Sequence, residues 1–298
     1  MVLAMQSARA QQEPMISQYM FNGLFLNPAY AGSHPYTSAT LLHRAQWVGI
    51  KGAPQTSLAA IDGPFLGDKM GLGLTLSHDV IGVSHETEIA ANYAYRIHLG
   101  DDSHLAFGLK AGVSLYSATL SDLTYWDNQD IIYQNNISNA AVGKFGFGIY
   151  WNNERSFIGL SIPTLYAADG KLTSDIPDAP NHYFTQHYFL NAGHVFELSE
   201  DFDLKPSILL KYQPQATPEV DLNCNLLYKK RFWLGVGYRT GDAVVAMLEF
   251  QINPMFRVGY SYDATTSQLR GYDSGSHEVM LGIDLGKEPV AIKNPRFF

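Results

Sequence analysis

The sequence predicts an all-β protein, a transmembrane antiparallel β-barrel of about 14 strands with an N-terminal plug or strap segment. Three observations predict it. Charged residues make up only 16% of the 298 residues, against roughly 25% in ordinary soluble domains, while there are 18 Tyr and 16 Phe. From Thr37 onward the dominant period is two, the signature of strands with two unlike faces. The connections between these segments alternate largely between short and long, as they do in outer-membrane barrels.

Taken in order, the chain opens on Met1 to Ala10, a short apolar piece ending in Ala8-Arg9-Ala10, which resembles a signal-peptidase site but lacks a basic start and a full apolar core. We read residues 1–10 as the remnant of a longer signal peptide, with Gln11 as the mature start; an unrelated tail is the other reading. Residues 11–36 form an N-terminal periplasmic or plug segment. Ser17-Gln18-Tyr19-Met20-Phe21-Asn22 offers a capping serine and a short apolar helix, and Asn27-Pro28-Ala29-Tyr30-Ala31-Gly32 a turn. So apolar a segment is not expected to stay loose in water. It is either a plug or partner-docking element, or a strap that packs inside the barrel mouth and stabilises it, and one segment can do both.

The barrel itself is expected over residues 37–285, with strands at 37–47, 55–65, 70–79, 86–99, 103–116, 139–151, 156–165, 182–198, 203–212, 217–228, 232–239, 243–252, 255–264 and 276–285. The alternation is plain in Leu105, Phe107, Leu109, Ala111, Val113 and Leu115, between which stand Ala106, Gly108, Lys110, Gly112 and Ser114. It recurs in Met70, Leu72, Leu74 and Leu76, and in Val279, Leu281, Ile283 and Leu285. The first two strands alternate least regularly. Every long connection falls on an odd-numbered position: Val48 to Pro54, Val80 to His85, Ser117 to Ser138, Tyr166 to Asn181 and Thr265 to Gly275. The even-numbered connections, such as Gly100-Asp101-Asp102 and Asn253-Pro254, are all tight. If that parity holds, both termini lie in the periplasm, including a C-terminal tail at 286–298.

No run of about eighteen apolar residues exists, so a membrane must be crossed by strands, and only a closed sheet leaves no unpaired backbone in hydrocarbon. The apolar alternate residues then face lipid. Tyr93, Tyr95, Trp151, Tyr238, Tyr260 and Tyr262 either contribute to aromatic girdles at the two interfaces or serve as general lipid-facing packing. Glycines on the other face, at Gly108, Gly112, Gly146, Gly148, Gly235 and Gly237, let strands bend or let something approach the inner wall closely. The lone Cys224 cannot form an internal disulfide and reads as a small buried or lipid-facing residue.

Several function classes are disfavoured. A net charge of −8 argues against nucleic acid, whose phosphates need concentrated Lys and Arg. No metal-ligand spacing among the histidines, nucleophile elbow or phosphate loop is present, so neither a cofactor nor an enzyme is expected, although a Ser-His pair drawn from distant strands is not legible in one sequence. His43, His98 and His194 read as lumen or interface residues. Asp122, Asp127, Asn128 and Asp130 in one long loop, and Asp169, Asp175 and Asp178 in another, lack EF-hand spacing and read as solvated rather than calcium-binding.

The chain resembles the PorP/SprF family of type IX secretion proteins of the Bacteroidetes. The resemblance rests on Gln18-Tyr19-Met20-Phe21-Asn22, on Asn27-Pro28-Ala29-Tyr30-Ala31-Gly32, on Arg44-Ala45-Gln46-Trp47-Val48-Gly49 with Gly52-Ala53-Pro54, and on the ending Asn294-Pro295-Arg296-Phe297. Gly71 to Leu74, Asp79 to Gly82 and Leu105 to Gly112 are similar too, though glycine-rich strands occur in many barrels. The resemblance implies an outer-membrane barrel partner of the type IX machinery that supports export or surface retention of large cell-surface proteins such as gliding adhesins. The implied partners are a secreted surface protein with its C-terminal secretion domain, other periplasmic or outer-membrane components of the machinery, and the lipid bilayer. It brings no catalytic residues. The candidate partner or plug contacts are Tyr19, Met20, Phe21, Asn22, Asn27, Pro28, Tyr30, Arg44, Trp47, Pro295, Arg296 and Phe297. The tail either docks a periplasmic partner or serves as an assembly signal or packed end. The alternative function is an outer-membrane channel for small solutes; the glycine, alanine and serine of the inner faces, with scattered charges such as Arg96, Lys110, Glu249 and Arg257, favour a closely filled lumen instead.

Overall fold

Alternating faces, long runs of small residues and tight turns build one sheet that closes on itself. The computed structural model describes residues 14–100, 102–122, 136–169, 186–214 and 216–286. The strands are β1 (Thr37–Ala45), β2 (Gln55–Phe65), β3 (Met70–Ile81), β4 (Ser84–His98), β5 (His104–Ala118), β6 (Ile137–Asn152), β7 (Ser156–Asp169), β8 (Tyr188–His194), β9 (Phe196–Glu197), β10 (Phe202–Tyr212), β11 (Glu219–Tyr228), β12 (Phe232–Arg239), β13 (Ala243–Gln251), β14 (Phe256–Thr265) and β15 (Ser276–Leu285). Each pairs antiparallel with its neighbours, and β1 pairs with β15 from Thr37↔Leu285 to Ala45↔His277, so the sheet has no free side. The two-residue β9 continues β8 along β10, which gives a closed barrel of 14 strands plus one extra strand.

The burial pattern inverts that of a soluble domain, where charge lies outside. Leu109 is 58% exposed and Val236 63%, whereas Arg44, Arg239, Arg257, Lys205 and Glu278 are at most 2% exposed. Apolar residues face outward and charged residues face the lumen. Along β4, the stretch from Thr87, opposite His78, to His98 is about 36 Å of strand, which at a tilt of about 45° spans about 25 Å, the height of an outer-membrane apolar band. Rings collect toward both limits. Tyr95, Tyr238, Tyr260 and Tyr262 are exposed on the outer face, Tyr93 and Trp151 partly so. At one limit Tyr260 Oη lies 2.7 Å from His277 Nδ1; at the other Phe202 stacks on Tyr228 and Phe232 on Phe250. His43 and His98 are exposed and His194 bonds Ser156 at 2.8 Å, so these histidines belong to the outer surface. Cys224 is exposed there too.

Two expectations need correction, and the ends of the described chain are placed apart. The connection expected from Val80 to His85 shrinks to Gly82-Val83, because the pairing of β3 and β4 runs on to Ile81↔Ser84. Gly82 has φ +60, which a two-residue hairpin accepts at its first turn position. Beside it Asp79 and Glu86, at the ends of the expected strands, bond Thr56 and Lys144. The expected strand 37–47 stops at Ala45, since Trp47 takes φ +48 and leaves the extended region. Finally, the first described residues do not lie beside the last. Pro14, Met15 and Ile16 share a cavity with Gln213, Ala216 and Thr217 of the β10–β11 connection, at the same end as the 46–54 and 266–275 connections. β1 begins, and β15 finishes, at the opposite end. Residues 1–13 and 287–298, and with them the expected leader remnant and most of the expected tail, lie outside the described residues.

Candidate functional site

Residues 14–36 contain no Asp, Glu, Lys or Arg, and they run inside the barrel from the long-connection end to the start of β1. The path is built from short turns: a 3-10 turn at Tyr19–Phe21, the helix α1 at Gly23–Leu26 and a second 3-10 turn at Pro28–Tyr30. Asn27 caps the last of these, its Oδ1 accepting from Ala29 N at 2.9 Å, with Pro28 at the first turn position where no N–H is needed.

Charge on the wall holds the entry of this segment. Arg44 Nη2 donates to Asp263 at 2.8 Å and its Nη1 to Glu278 at 3.3 Å. Arg239 reaches Asp263 at 3.3 Å and Asp221 at 3.2 Å, and Lys211 extends the network to Glu219 at 2.7 Å. Ser17 sits where these converge. Its Oγ donates to Asp263 at 2.7 Å and accepts from Arg44 at 3.0 Å, while the backbone N–H groups of Ser17 and Gln18 each donate to Glu278 at 2.8 Å. Elsewhere the wall charges pair among themselves, Lys144 with Glu88 at 2.9 Å, Lys110 with Glu88, and Arg257 with Glu249 at 3.7 Å.

Apolar contact and close backbone approach hold the rest. Ile16, Tyr19, Met20, Phe21 and Leu26 join inward residues Leu42, Leu58, Leu209, Trp233 and Met280 in one cluster; Leu24, Ala29, Tyr30 and Ala31 join Ala60, Ala94, Ala106 and Tyr150 in another. Each large side chain so buried contributes about 1.5–3 kcal/mol. A methyl group added at Gly108 would overlap the backbone of Ala29, and one at Gly148 the side chain of Asn27, so glycine there sets how near the segment lies. Gly235 and Gly237 act one strand removed: they make room for Asn225 and Asn223, which donate to Met20 Sδ at 2.9 Å and Tyr19 Oη at 2.6 Å. Asn27 Nδ2 donates to the carbonyl of Ile149 at 2.9 Å, and Arg96 to that of Gly32.

Of the candidate residues, Tyr19, Met20, Phe21, Asn22, Asn27, Pro28, Tyr30 and Arg44 are all buried within the barrel. Trp47 stands apart at the rim, its N–H donating to Ser276 Oγ at 3.1 Å. Pro295, Arg296 and Phe297 lie outside the described residues, as do Asp127, Asn128, Asp130, Asp175 and Asp178 and the side chains of Asp122 and Asp169. Asp221, Arg239, Asp263 and Glu278 were not among the candidates. Their sequence signal was a charge at an inward alternate position near a strand end.

The comparisons with known proteins bear on this arrangement. The family model described as type IX secretion system membrane protein PorP/SprF matches residues 8–283, which include both the inner segment and nearly all of the wall. The chain belongs to the PorP/SprF family. It is therefore a type IX secretion membrane protein, with an outer-membrane barrel fold and outer-membrane localisation, of a class that works with other secretion components rather than an enzyme class. Among solved structures, the chain is similar to a TodX mutant described as a monoaromatic hydrocarbon channel (9% identity, 91% of this chain and 94% of that one, TM-score 0.51). It is also similar to the toluene transporter TbuX of Ralstonia pickettii (7% identity, 91% and 93%, TM-score 0.49) and to Omp33 of Acinetobacter baumannii (7% identity, 85% and 99%, TM-score 0.45). At 9% identity the likeness to the TodX mutant speaks for the fold alone. No curated protein matches the chain.

Proposed function

We propose that this PorP/SprF-family barrel is a closed partner of the type IX machinery, supporting export or surface retention of large cell-surface proteins such as gliding adhesins. The observation that carries the reading is the inner segment: residues 14–36 touch wall residues from β1 to β15, so the lumen is occupied where a solute channel is open. In this reading Tyr19, Met20, Phe21, Asn22, Asn27, Pro28, Tyr30 and Arg44 form a plug and its seat. Trp47 at the rim, and the tail with Pro295, Arg296 and Phe297, are the proposed partner contacts. The long connections face the cell exterior and the tail faces the periplasm, since outer-membrane barrels keep short turns on the periplasmic side. Residues 11–36 are then the plug segment.

Two measurements test this. An affinity pull-down from outer membranes with a tag on the C-terminal tail is expected to recover a large secreted protein or a periplasmic component of the machinery. Deleting the gene is expected to strip a surface adhesin from the cell; adhesins left in place, with nothing recovered on the tag, defeat the proposal.

A further inference from the structure

The wall and the segment are satisfied differently. Wall charges are paired chiefly with one another, as in Arg239–Asp221 and Lys144–Glu88, and the segment brings no ionised Asp, Glu, Lys or Arg to them. Taking residues 14–22 away would leave those pairs intact beside the apolar wall residues Leu42, Leu58, Trp233 and Met280. The two halves of the segment are also seated differently. Residues 27–32 lie backbone to backbone against Gly71 and Gly108 and lead covalently into β1, whereas residues 16–21 meet the wall through side chains and the bonds at Ser17 and Gln18. The cluster around the first half draws on β1, β2, β8 and β10–β15, and the second half packs against β2–β7.

From this asymmetry we propose that the barrel is a gated conduit for small hydrated ions and polar solutes. Its stopper is residues 14–22, which leave through the long-connection end by hinging at Asn22-Gly23, while residues 27–36 stay fixed. The entry at Ser17 is the latch. Release opens a path with Arg44, Asp221, Asn223, Asn225, Asp263 and Glu278 along it and the apolar Trp233 and Met280 beside them, carrying both signs of charge and so weakly ion-selective.

Planar-bilayer recording of the full-length protein tests the proposal. Phe21→Glu places a carboxylate against Trp233 in the apolar cluster without altering the wall, and is expected to raise open probability at least tenfold over the closed wild type. Ser17→Cys with Asp263→Cys, in a Cys224→Ser background, joins positions whose side chains are already 2.7 Å apart. It is expected to be silent when oxidised and to conduct when reduced. A folded, heat-modifiable Phe21→Glu that conducts no more than wild type overturns the conduit. If that variant does not fold, the cysteine pair decides, and equal silence in both redox states overturns it as well. A failed secretion phenotype would leave these recordings unaffected, so the two proposals fail separately.

Discussion

Arg44 and Asp263 stand 219 positions apart in the chain and 2.8 Å apart in the barrel, each about 1% exposed. Such a buried pair contributes little net stability when whole, because both ions lose their hydration, but removing one partner strands the other. Arg44→Ala is therefore expected to cost about 3–5 kcal/mol. The check is the midpoint of urea unfolding in lipid vesicles, followed by heat-modifiable migration. Arg44→Lys should recover only part of the loss, since a single ammonium cannot reach Asp263, Glu278 and Ser17 in the forked geometry of a guanidinium.

Gly108→Val should unseat the segment while sparing the wall. Its branched side chain would meet the backbone of Ala29. We expect overpacking of about 1–3 kcal/mol or more. Protease cleavage between Tyr19 and Tyr30 should then appear in folded barrels, and its absence would show that the wall yields instead.

Phe21→Ala removes a ring whose centroid lies 5.8 Å from that of Trp233 in an edge-on contact. The cavity and lost burial are expected to cost about 3–5 kcal/mol. Labelling of an introduced Met20→Cys by a water-soluble maleimide, in a Cys224→Ser background, should accelerate in parallel.

Leu74→Arg and His78→Arg separate the apolar band from its edge. Both side chains point outward on β3, but Leu74 lies toward the middle and His78 at the limit. The first is expected to cost about 2–4 kcal/mol and the second about 0–1 kcal/mol. Equal costs would mean that the bilayer does not cover this face as described.

The sequence displayed β3 to β5 clearly because their outward residues are apolar and their inward residues small, which lipid and a closely filled lumen both require. β1 and β2 alternated poorly for a physical reason. Leu42 and Leu58 point inward, against the segment, so apolar residues occur on both faces. The segment's place inside the barrel also hid the ends of the path: parity of the connections gave the two rims, but only the positions of Ile16 and Gly32 revealed that residues 14–36 pass from one rim to the other. The latch was less legible still. Ser17, Arg44, Arg239, Asp263 and Glu278 are ordinary residues in five separate stretches, and only closure of the sheet brings them together.

That closure has a consequence for how the molecule is made. Arg44 and Glu278 are register partners across β1 and β15, the seam at which the first strand meets the last. Before the seam forms, Arg44 on one side and Asp263, Glu278 and Arg239 on the other cannot converge on Ser17; once it has formed, a 23-residue stretch would have to be threaded through a finished cylinder. Sealing the cylinder and capturing its contents are thus expected to be a single event, in which the last strand made supplies the grip on the earliest part of the fold.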